Sequence, residues 1–182
     1  MEDKKNEFEI LNRELMYHGK IIDFYKDTLR TPTGEEVVWD FIKHKGAAAV
    51  VTVDNEGKLL LVQQYRNAVR EMTLEVPAGC INDGEEPMIS AAREVEEETG
   101  YKVEEIVPLN KIYTALAYCD EIIYVYYARV GEYIGQNLDS DEFVDVKKFT
   151  LAEVKNMNLD GTIKDTKTIS SILTYELKFL NW

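Results

Sequence analysis

Cysteine is nearly absent from this chain. Cys80 and Cys119 are the only two, and they make neither a Cys-x-x-Cys pair nor the dense pattern of a disulfide-held scaffold, so both are read as small reduced residues. Positive charge is also scarce: 21 Lys and Arg stand against 34 Asp and Glu, a net charge of -13. Such a surface repels phosphate backbones and anionic membranes, so neither nucleic acid nor a membrane is an expected partner. An acidic protein that handles phosphate needs a metal cation or a local basic pocket, and Arg66 with Arg70 are candidates for the second. Long apolar runs are missing too. No stretch approaches a membrane span, and Met1-Glu2-Asp3-Lys4-Lys5 is not followed by the apolar core of a signal peptide, which leads to an expected cytoplasmic location. There is no internal repeat and no low-complexity linker. The 45% hydrophobic content suffices for the core of one domain with a small subdomain.

What is present is concentrated between Gly79 and Tyr101. There the chain reads Gly-x5-Glu-x7-Arg-Glu-Val-x-Glu-Glu-x-Gly-Tyr, with Gly79, Glu85, Arg93, Glu94, Val95, Glu97, Glu98, Gly100 and Tyr101 at the fixed positions. Residues 86–99 are mostly good helix formers. Pro87 sits where a first turn tolerates it, and Gly100 is a stop signal. At about 100° per residue, Glu94, Glu97 and Glu98 fall in one sector beside a stripe of Met88, Ala91, Ala92 and Val95, while Glu96 points elsewhere. Three carboxylates are thus expected on one solvent-accessible face next to a buried one. They repel one another, and a hard divalent ion with oxygen ligands would offset the repulsion. The alternative is a solvated acidic helix face. Arg93 is expected to fork onto a carboxylate, with Glu85 as the leading partner. Residues 79–84 are expected to form a loop that returns onto the helix through Asn82, Asp83 and Gly84. Pro77, Ala78 and Gly79 bring backbone near the metals, where a carbonyl is a further candidate ligand.

Along the chain, residues 7–15, 20–30 and 35–44 carry strand signals separated by turns, an antiparallel β unit. Residues 47–54 and 58–66 form an apolar hairpin, and 73–76 a short strand before the loop and helix. Past the helix, 103–113, 122–130 and 143–149 read as strands, and 151–156 and 163–179 as helices broken at Asp160-Gly161. The fold class is α+β, a layered α/β/α arrangement. Tyr124, Tyr126 and Tyr127 fit core packing or a sheet edge better than a base-stacking platform.

The segment from Gly79 to Tyr101 resembles the Nudix box, with tyrosine where that family usually has an aliphatic residue. The wider chain resembles the ADP-ribose and nucleotide-sugar pyrophosphatase branch through Gln63-Gln64-Tyr65-Arg66, Glu75-Val76-Pro77-Ala78-Gly79, Leu138-Asp139-Ser140-Asp141-Glu142-Phe143 and Ile163-Lys164-Asp165-Thr166-Lys167-Thr168. The resemblance implies a Nudix α/β/α sandwich with a mixed sheet over residues 45–182. A small antiparallel β subdomain over residues 1–44 would precede it and serve dimerisation and substrate binding.

It also implies hydrolysis of the pyrophosphate bond of ADP-ribose or a related nucleoside diphosphate sugar. For ADP-ribose the products are AMP and ribose 5-phosphate. Mg2+, with Mn2+ as a substitute, would be held by Glu94, Glu97, Glu98 and the backbone of Ala78. Glu98 and Arg93 belong to the catalytic constellation, and the base comes from the later acidic loop, where Glu142 and Asp141 rank above Asp139. Arg66 resembles the phosphate-contacting arginine, Trp39 sits where some relatives stack the base, and Glu75 serves the terminal ribose or orders its neighbours. The expected partner besides the small-molecule nucleotide sugar is a second copy, bound through the N-terminal strands. ADP-ribose-selective relatives commonly carry Ser-Pro-Gly where this chain has Ala115-Leu116-Ala117. Dinucleotide or nucleoside triphosphate hydrolysis, and nucleotide-sugar sensing without turnover, are the alternative functions.

Overall fold

The structure is a computed structural model that describes residues 7–180. The chain divides into two compact units, one running up to Lys45 and including Tyr113–Glu121, the other formed by Gly46–Ile112 and the chain from Ile122 onward.

In the first unit, β1 (Glu9–His18), β2 (Ile22–Arg30) and β3 (Glu36–His44) make an antiparallel sheet in that order. Every residue of β1 is exposed, so hydrophobic burial alone cannot hold the strand. Its central tie is electrostatic: Arg13 forks onto Asp27 with contacts of 2.7 and 2.6 Å, and its guanidinium lies 4.0 Å above the Phe41 ring. Asp27 is buried, which makes this pair costly to break from one side. Residues 113–121 join this unit by backbone bonds. Ile42 N donates to Tyr118 O and Asp120 N to Ile42 O, while Tyr118 N and Cys119 N both donate to Ala115 O.

The second unit contains the larger sheet. Its strands are β4 (Ala47–Val53), β5 (Leu59–Arg66), β6 (Glu71–Glu75), β7 (Ala78–Cys80), β8 (Tyr101–Tyr113), β9 (Ile122–Tyr133) and β10 (Val144–Phe149). The order is β10-β5-β4-β9-β8, with β6 on β5 and β7 on β4. β4 runs parallel to β9, and the other recorded pairings are antiparallel, so the sheet is mixed. β4 and β5 pair only at Thr52–Leu60 and Val53–Leu59. Beyond that they part, and the β6–β7 segment fills the opening, with Val50 N donating to Pro77 O. This divergence brings residues 75–80 against the middle of the sheet.

Period-two alternation sorts the core into two layers. Ala47, Ala49, Val51, Leu61 and Val125 face one side with Val154 of α2 (Leu151–Leu159) and Ile172 of α3 (Thr166–Phe179). Ala48, Val50, Leu60 and Ala128 face the other with Ala91 and Val95 of α1 (Pro87–Thr99). Helices on both faces of a mixed sheet give the α/β/α sandwich of an α+β chain, preceded by an antiparallel three-stranded sheet, as expected. Full burial of one such aliphatic side chain contributes roughly 1.5–3 kcal/mol, so α1 is anchored mainly through Val95, which has no exposed surface.

Several boundaries differ from those read in the sequence, each for a local reason. Residues 78–80 form β7, although a three-residue strand is too short to show alternation. α2 extends to Leu159 from a capping box in which Thr150 and Glu153 satisfy each other's backbone N–H groups. α3 starts at Thr166 rather than at 163, because Asp165 is its N-cap and accepts from Thr168 N. β9 lies between β4 and β8 and is not a sheet edge. Tyr126 is buried there, and Tyr127 stacks on Tyr175.

Candidate active site

Helix α1 begins at Pro87 without a side-chain cap and ends at Gly100, whose φ of 74° is the left-handed conformation that releases the chain into β8. The loop before it is closed by Glu85: Asn82 N donates to Glu85 Oε2 at 3.0 Å, and Glu85 N donates to Asn82 O at 3.0 Å. Arg93 then binds loop and helix together. Its Nε and Nη2 fork onto Glu85 at 2.9 and 3.1 Å, and Nη1 lies 2.8 Å from both Glu97 Oε2 and Glu94 Oε1. The sequence reading of Glu85 as the partner of Arg93 matches this geometry. The Arg93 hydrogen bonds hold the Glu85 carboxyl down at about 2, well below its ordinary value. The same carboxylates raise the Arg93 guanidinium further above its already high value.

One arginine does not neutralise this cluster. Glu94 and Glu98 lie in the same helical stripe as Ala91 and Val95, and both are buried. That corrects the helical projection, which placed the three carboxylates on an open face and Met88 in the core. Met88 is exposed, and Glu97 alone of the three is part-exposed. The stripe turns inward because residues 75–80 lie over it. Glu98 Oε2 accepts from Ala78 N at 3.0 Å. The Glu94 carboxyl occupies room left by Gly79, where a Cβ would come within 2.2 Å of it. Burial first, and the neighbouring Glu94 and Glu142 charges next, push the Glu98 carboxyl up to about 8. Burial likewise raises that of Glu94.

These residues fit a hard divalent cation in kind: they are carboxylate oxygens in negative surplus, with the Ala78 peptide beside them. Among the described residues, no three acidic, cysteine or histidine side chains yet converge on one point, since Glu94 and Glu97 are turned onto Arg93.

The later acidic loop is closed on itself. Glu142 N donates to Asp139 O at 3.0 Å, and Asp139 N donates to Glu142 Oε2 at 3.2 Å. Asp141 and Glu142 are exposed on this turn. The Glu142 charge is felt at both Glu94 and Glu98, so the fold brings the loop carboxylate and the helix carboxylates into one electrostatic neighbourhood.

A second cluster is balanced, with two cations and two carboxylates. Arg66 forks onto Glu75 at 2.8 and 2.7 Å, Thr73 Oγ1 donates to Glu75 Oε1, and Lys167 also pairs with Glu75 while reaching Asp165 at 2.9 Å. Glu75 is buried, which alone would raise its carboxyl. The Arg66 and Lys167 contacts win and hold it down at about 2. Half of the Arg66 side chain remains open, and its positive charge acts on Glu98. Trp39 belongs to the first unit. It is half-exposed against Phe8, ring centroids 5.1 Å apart, and lines a shallow depression with Val38, Asp40, Ala117 and Tyr118.

Sequence reasoning assigned no role to Lys167 or Thr168. Both enter through Asp165, whose side chain caps α3 by accepting from Thr168 N. The Thr168 hydroxyl in turn accepts from Val76 N at 2.9 Å, next to Glu75. The Asp-x-x-Thr spacing at 165–168 was the available signal, since it marks an N-cap. Gln136, whose amide reaches Glu98 O at 2.6 Å, left no signal in spacing or pattern.

Comparison with known proteins gives the family. The family model described as NUDIX domain matches residues 43–170. An "ADP-ribose pyrophosphatase" of Bacillus subtilis (strain 168) is 35% identical over 177 residues, 96% of each chain. A "Methanol dehydrogenase activator" of Bacillus methanolicus is 34% identical over 175 residues, 94% of each. An "ADP-ribose pyrophosphatase" of Mycobacterium tuberculosis (strain ATCC 25618 / H37Rv) is 31% identical over 172 residues, 93% of this chain and 83% of that one. Among solved structures, one titled "Crystal structure of ADP compounds hydrolase" superposes with a TM-score of 0.83 at 20% identity, covering 94% of this chain and 93% of its own, a likeness of fold. With the family model spanning well over half the chain and near-full-length relatives above 30% identity, the chain belongs to the Nudix family of pyrophosphohydrolases.

Proposed function

We propose that this enzyme hydrolyses the pyrophosphate bond of ADP-ribose or a related nucleoside diphosphate sugar, giving a nucleoside monophosphate and a sugar phosphate. The observation that carries the reading is the surplus of carboxylate over cation around Arg93, in the electrostatic neighbourhood of the half-exposed Arg66. The names of the full-length relatives support the substrate class.

In this reading, Glu94, Glu97, Glu98 and the Ala78 backbone hold Mg2+, or Mn2+ in its place. A bound divalent ion polarises phosphoryl oxygens, lowers the pKa of the attacking water and stabilises the leaving phosphate. Everything else is done by the chain. Glu94 and Glu97 would be ligands of the ion, and the Arg93 fork on Glu85 keeps the loop on the helix. Arg66 binds a substrate phosphate through its open face, with Glu75 and Lys167 fixing its plane. Trp39 offers a ring for the base. Glu142, or Asp141 beside it, accepts a proton as the water oxygen bonds to one phosphorus. The bridging oxygen departs with the other phosphate and carries the bond's electron pair, so charge and atoms balance. Phosphoryl transfer asks mainly for positioning and charge neutralisation, and these side chains supply both.

The division of labour extends to the N-terminal strands. Residues 1–44 are proposed as a dimerisation and substrate-binding subdomain and 45–182 as the hydrolase domain. Residues 1–6 of that subdomain lie outside the described residues. Ile10, Leu15, Met16 and Tyr17 all stand exposed on β1, an apolar surface suited to a second copy. A cytoplasmic location is part of the proposal. Separately, no helix among the described residues is long and apolar enough to cross a membrane.

The test is turnover with Mg2+ of a panel holding ADP-ribose, other nucleotide sugars, dinucleoside polyphosphates and nucleoside triphosphates, with products separated by chromatography. AMP and ribose 5-phosphate as the dominant pair are expected. Pyrophosphate released from triphosphates as the main product would overturn the substrate class.

A further inference from the structure

The acidic loop at residues 138–143 can act only if its carboxylates are held at a fixed place relative to helix α1. Its own bonds, between Asp139 and Glu142, close the turn without attaching it to anything. The attachment lies just upstream. Ile134 N and Gly135 N both donate to Gly100 O, and Asn137 N donates to Glu97 O at 3.0 Å. Gln136 does more than its neighbours. Its Nε2 donates to Glu98 O at 2.6 Å and to Val144 O at 3.2 Å. One amide thereby grips the last turn of the helix and the first residue of β10. The fit is tight, since a Cβ on Gly100 would come within 2.8 Å of Gln136 N.

These contacts enclose the loop. Its entry is fixed at Gln136 and Asn137, which donate to the carbonyls of Glu98 and Glu97, two residues whose side chains belong to the carboxylate cluster, and its exit is held by the same Gln136 amide, which donates to Val144 O. A helix C-terminus leaves its last carbonyls without intrahelical donors. Here those carbonyls are the sockets into which the loop plugs.

We infer that Gln136 is a positioning residue that sets the distance between the loop carboxylates and the carboxylates of helix α1 by bridging the Glu98 and Val144 carbonyls. The inference rests on the reading above in which Glu142 or Asp141 accepts the proton. The Gln136 amide is engaged by two backbone carbonyls, so it acts through the loop. Without its amide the loop keeps its internal turn but loses the shared anchor of its two ends. The carboxylate then samples positions from which proton acceptance is inefficient, while phosphate binding at Arg66 is untouched. The loss should fall on kcat and not on KM.

A double-mutant cycle decides the matter. Gln136→Leu, Glu142→Gln and the combined variant are compared with the wild type for kcat, KM and Tm, with Asp141→Asn cycled in the same way. Gln136→Leu is expected to lower kcat about 10- to 100-fold, the range seen when a supporting hydrogen-bond partner is removed, at unchanged KM and with a cooperative thermal transition. In the background of whichever loop variant is impaired, the same substitution should cost less than about twofold, because there is no longer a carboxylate to place. Gln136→Asn, which keeps the donor on a shorter stem, should recover part of the loss and serves in the cycle if the leucine variant does not fold. Equal losses in both backgrounds, or a loss confined to KM, would overturn the positioning role while leaving the base assignment intact. If neither Glu142→Gln nor Asp141→Asn slows turnover, the loop has no part in the reaction, and both the base assignment and the role of Gln136 fall.

Discussion

Two charged clusters lie in the same compact unit and are built from the same kinds of residue, yet one is balanced and the other carries a surplus of carboxylate. Around Glu75, one buried carboxylate meets two cations, Arg66 and Lys167, and is held ionised at about 2. Around Arg93, one guanidinium faces Glu85, Glu94 and Glu97, with Glu98 close behind, and Glu98 is pushed up to about 8. Burial opposes ionisation in both places. What differs is whether the protein supplies the counter-charge itself. The first cluster is complete and works as a rigid bracket for Arg66. The second is incomplete by its own charges: burial drives Glu98 toward its neutral form, and in the proposed function a divalent cation would favour the anion instead.

The sharpest way to separate the two is to neutralise one carboxylate in each. Glu98→Gln keeps the shape and the acceptor for Ala78 N but removes an anionic oxygen from the deficient cluster. Turnover should fall by at least about 100-fold, since losing a ligand costs no less than losing one of its supporting partners, with little change in Tm. A rate near wild type at limiting Mg2+ would remove Glu98 from the metal site.

Glu75→Gln should do the reverse and act first on the fold. It strands Arg66 and Lys167 beside each other without their shared carboxylate, and removal of one partner from a buried pair is costly, about 3 kcal/mol here, read by chemical denaturation. The sign follows from linkage. The Glu75 carboxyl is depressed from 4.5 to about 2 on folding. Its contribution is therefore complete above pH 4.5 and is lost as the pH falls through about 2. The wild type should lose stability across that window more steeply than the variant, and parallel curves would contradict the bracket.

The smallest effect is expected from Arg66→Ala, which leaves every carboxylate of the Arg93 cluster in place and leaves Glu75 its second cation, Lys167. It should raise KM for phosphorylated substrates by about tenfold, in keeping with roughly 1.5 kcal/mol for a charge-assisted hydrogen bond. An unchanged KM would mean that Arg66 serves only Glu75.

The two clusters were unequally legible. The Arg93 cluster lies within one short stretch of sequence, so the motif spacing brought Glu85 and Arg93 into view and helical spacing the three glutamates. Spacing could not show which way the stripe faces. Glu94 and Glu98 share the i, i+4 row with Ala91 and Val95, and only the β6–β7 segment packed over that row reveals that it is buried. The Glu75 cluster draws on β5, β6 and α3, with Arg66 and Lys167 about a hundred positions apart, and no local pattern announces a pairing over that distance. The three-residue strand β7 escaped notice for a related reason: it exists because β4 and β5 diverge, which is a property of the whole sheet.

The central claim, that the Arg93 cluster is a metal site completed from outside, is tested most directly by titrating the apo-protein with Mn2+ and following free ion by electron paramagnetic resonance, for the wild type, Glu98→Gln and Glu75→Gln. The account predicts saturable binding that Glu98→Gln weakens by about tenfold or more and that folded Glu75→Gln retains. Equal binding by the wild type and Glu98→Gln, or no saturable binding by the wild type, would contradict it.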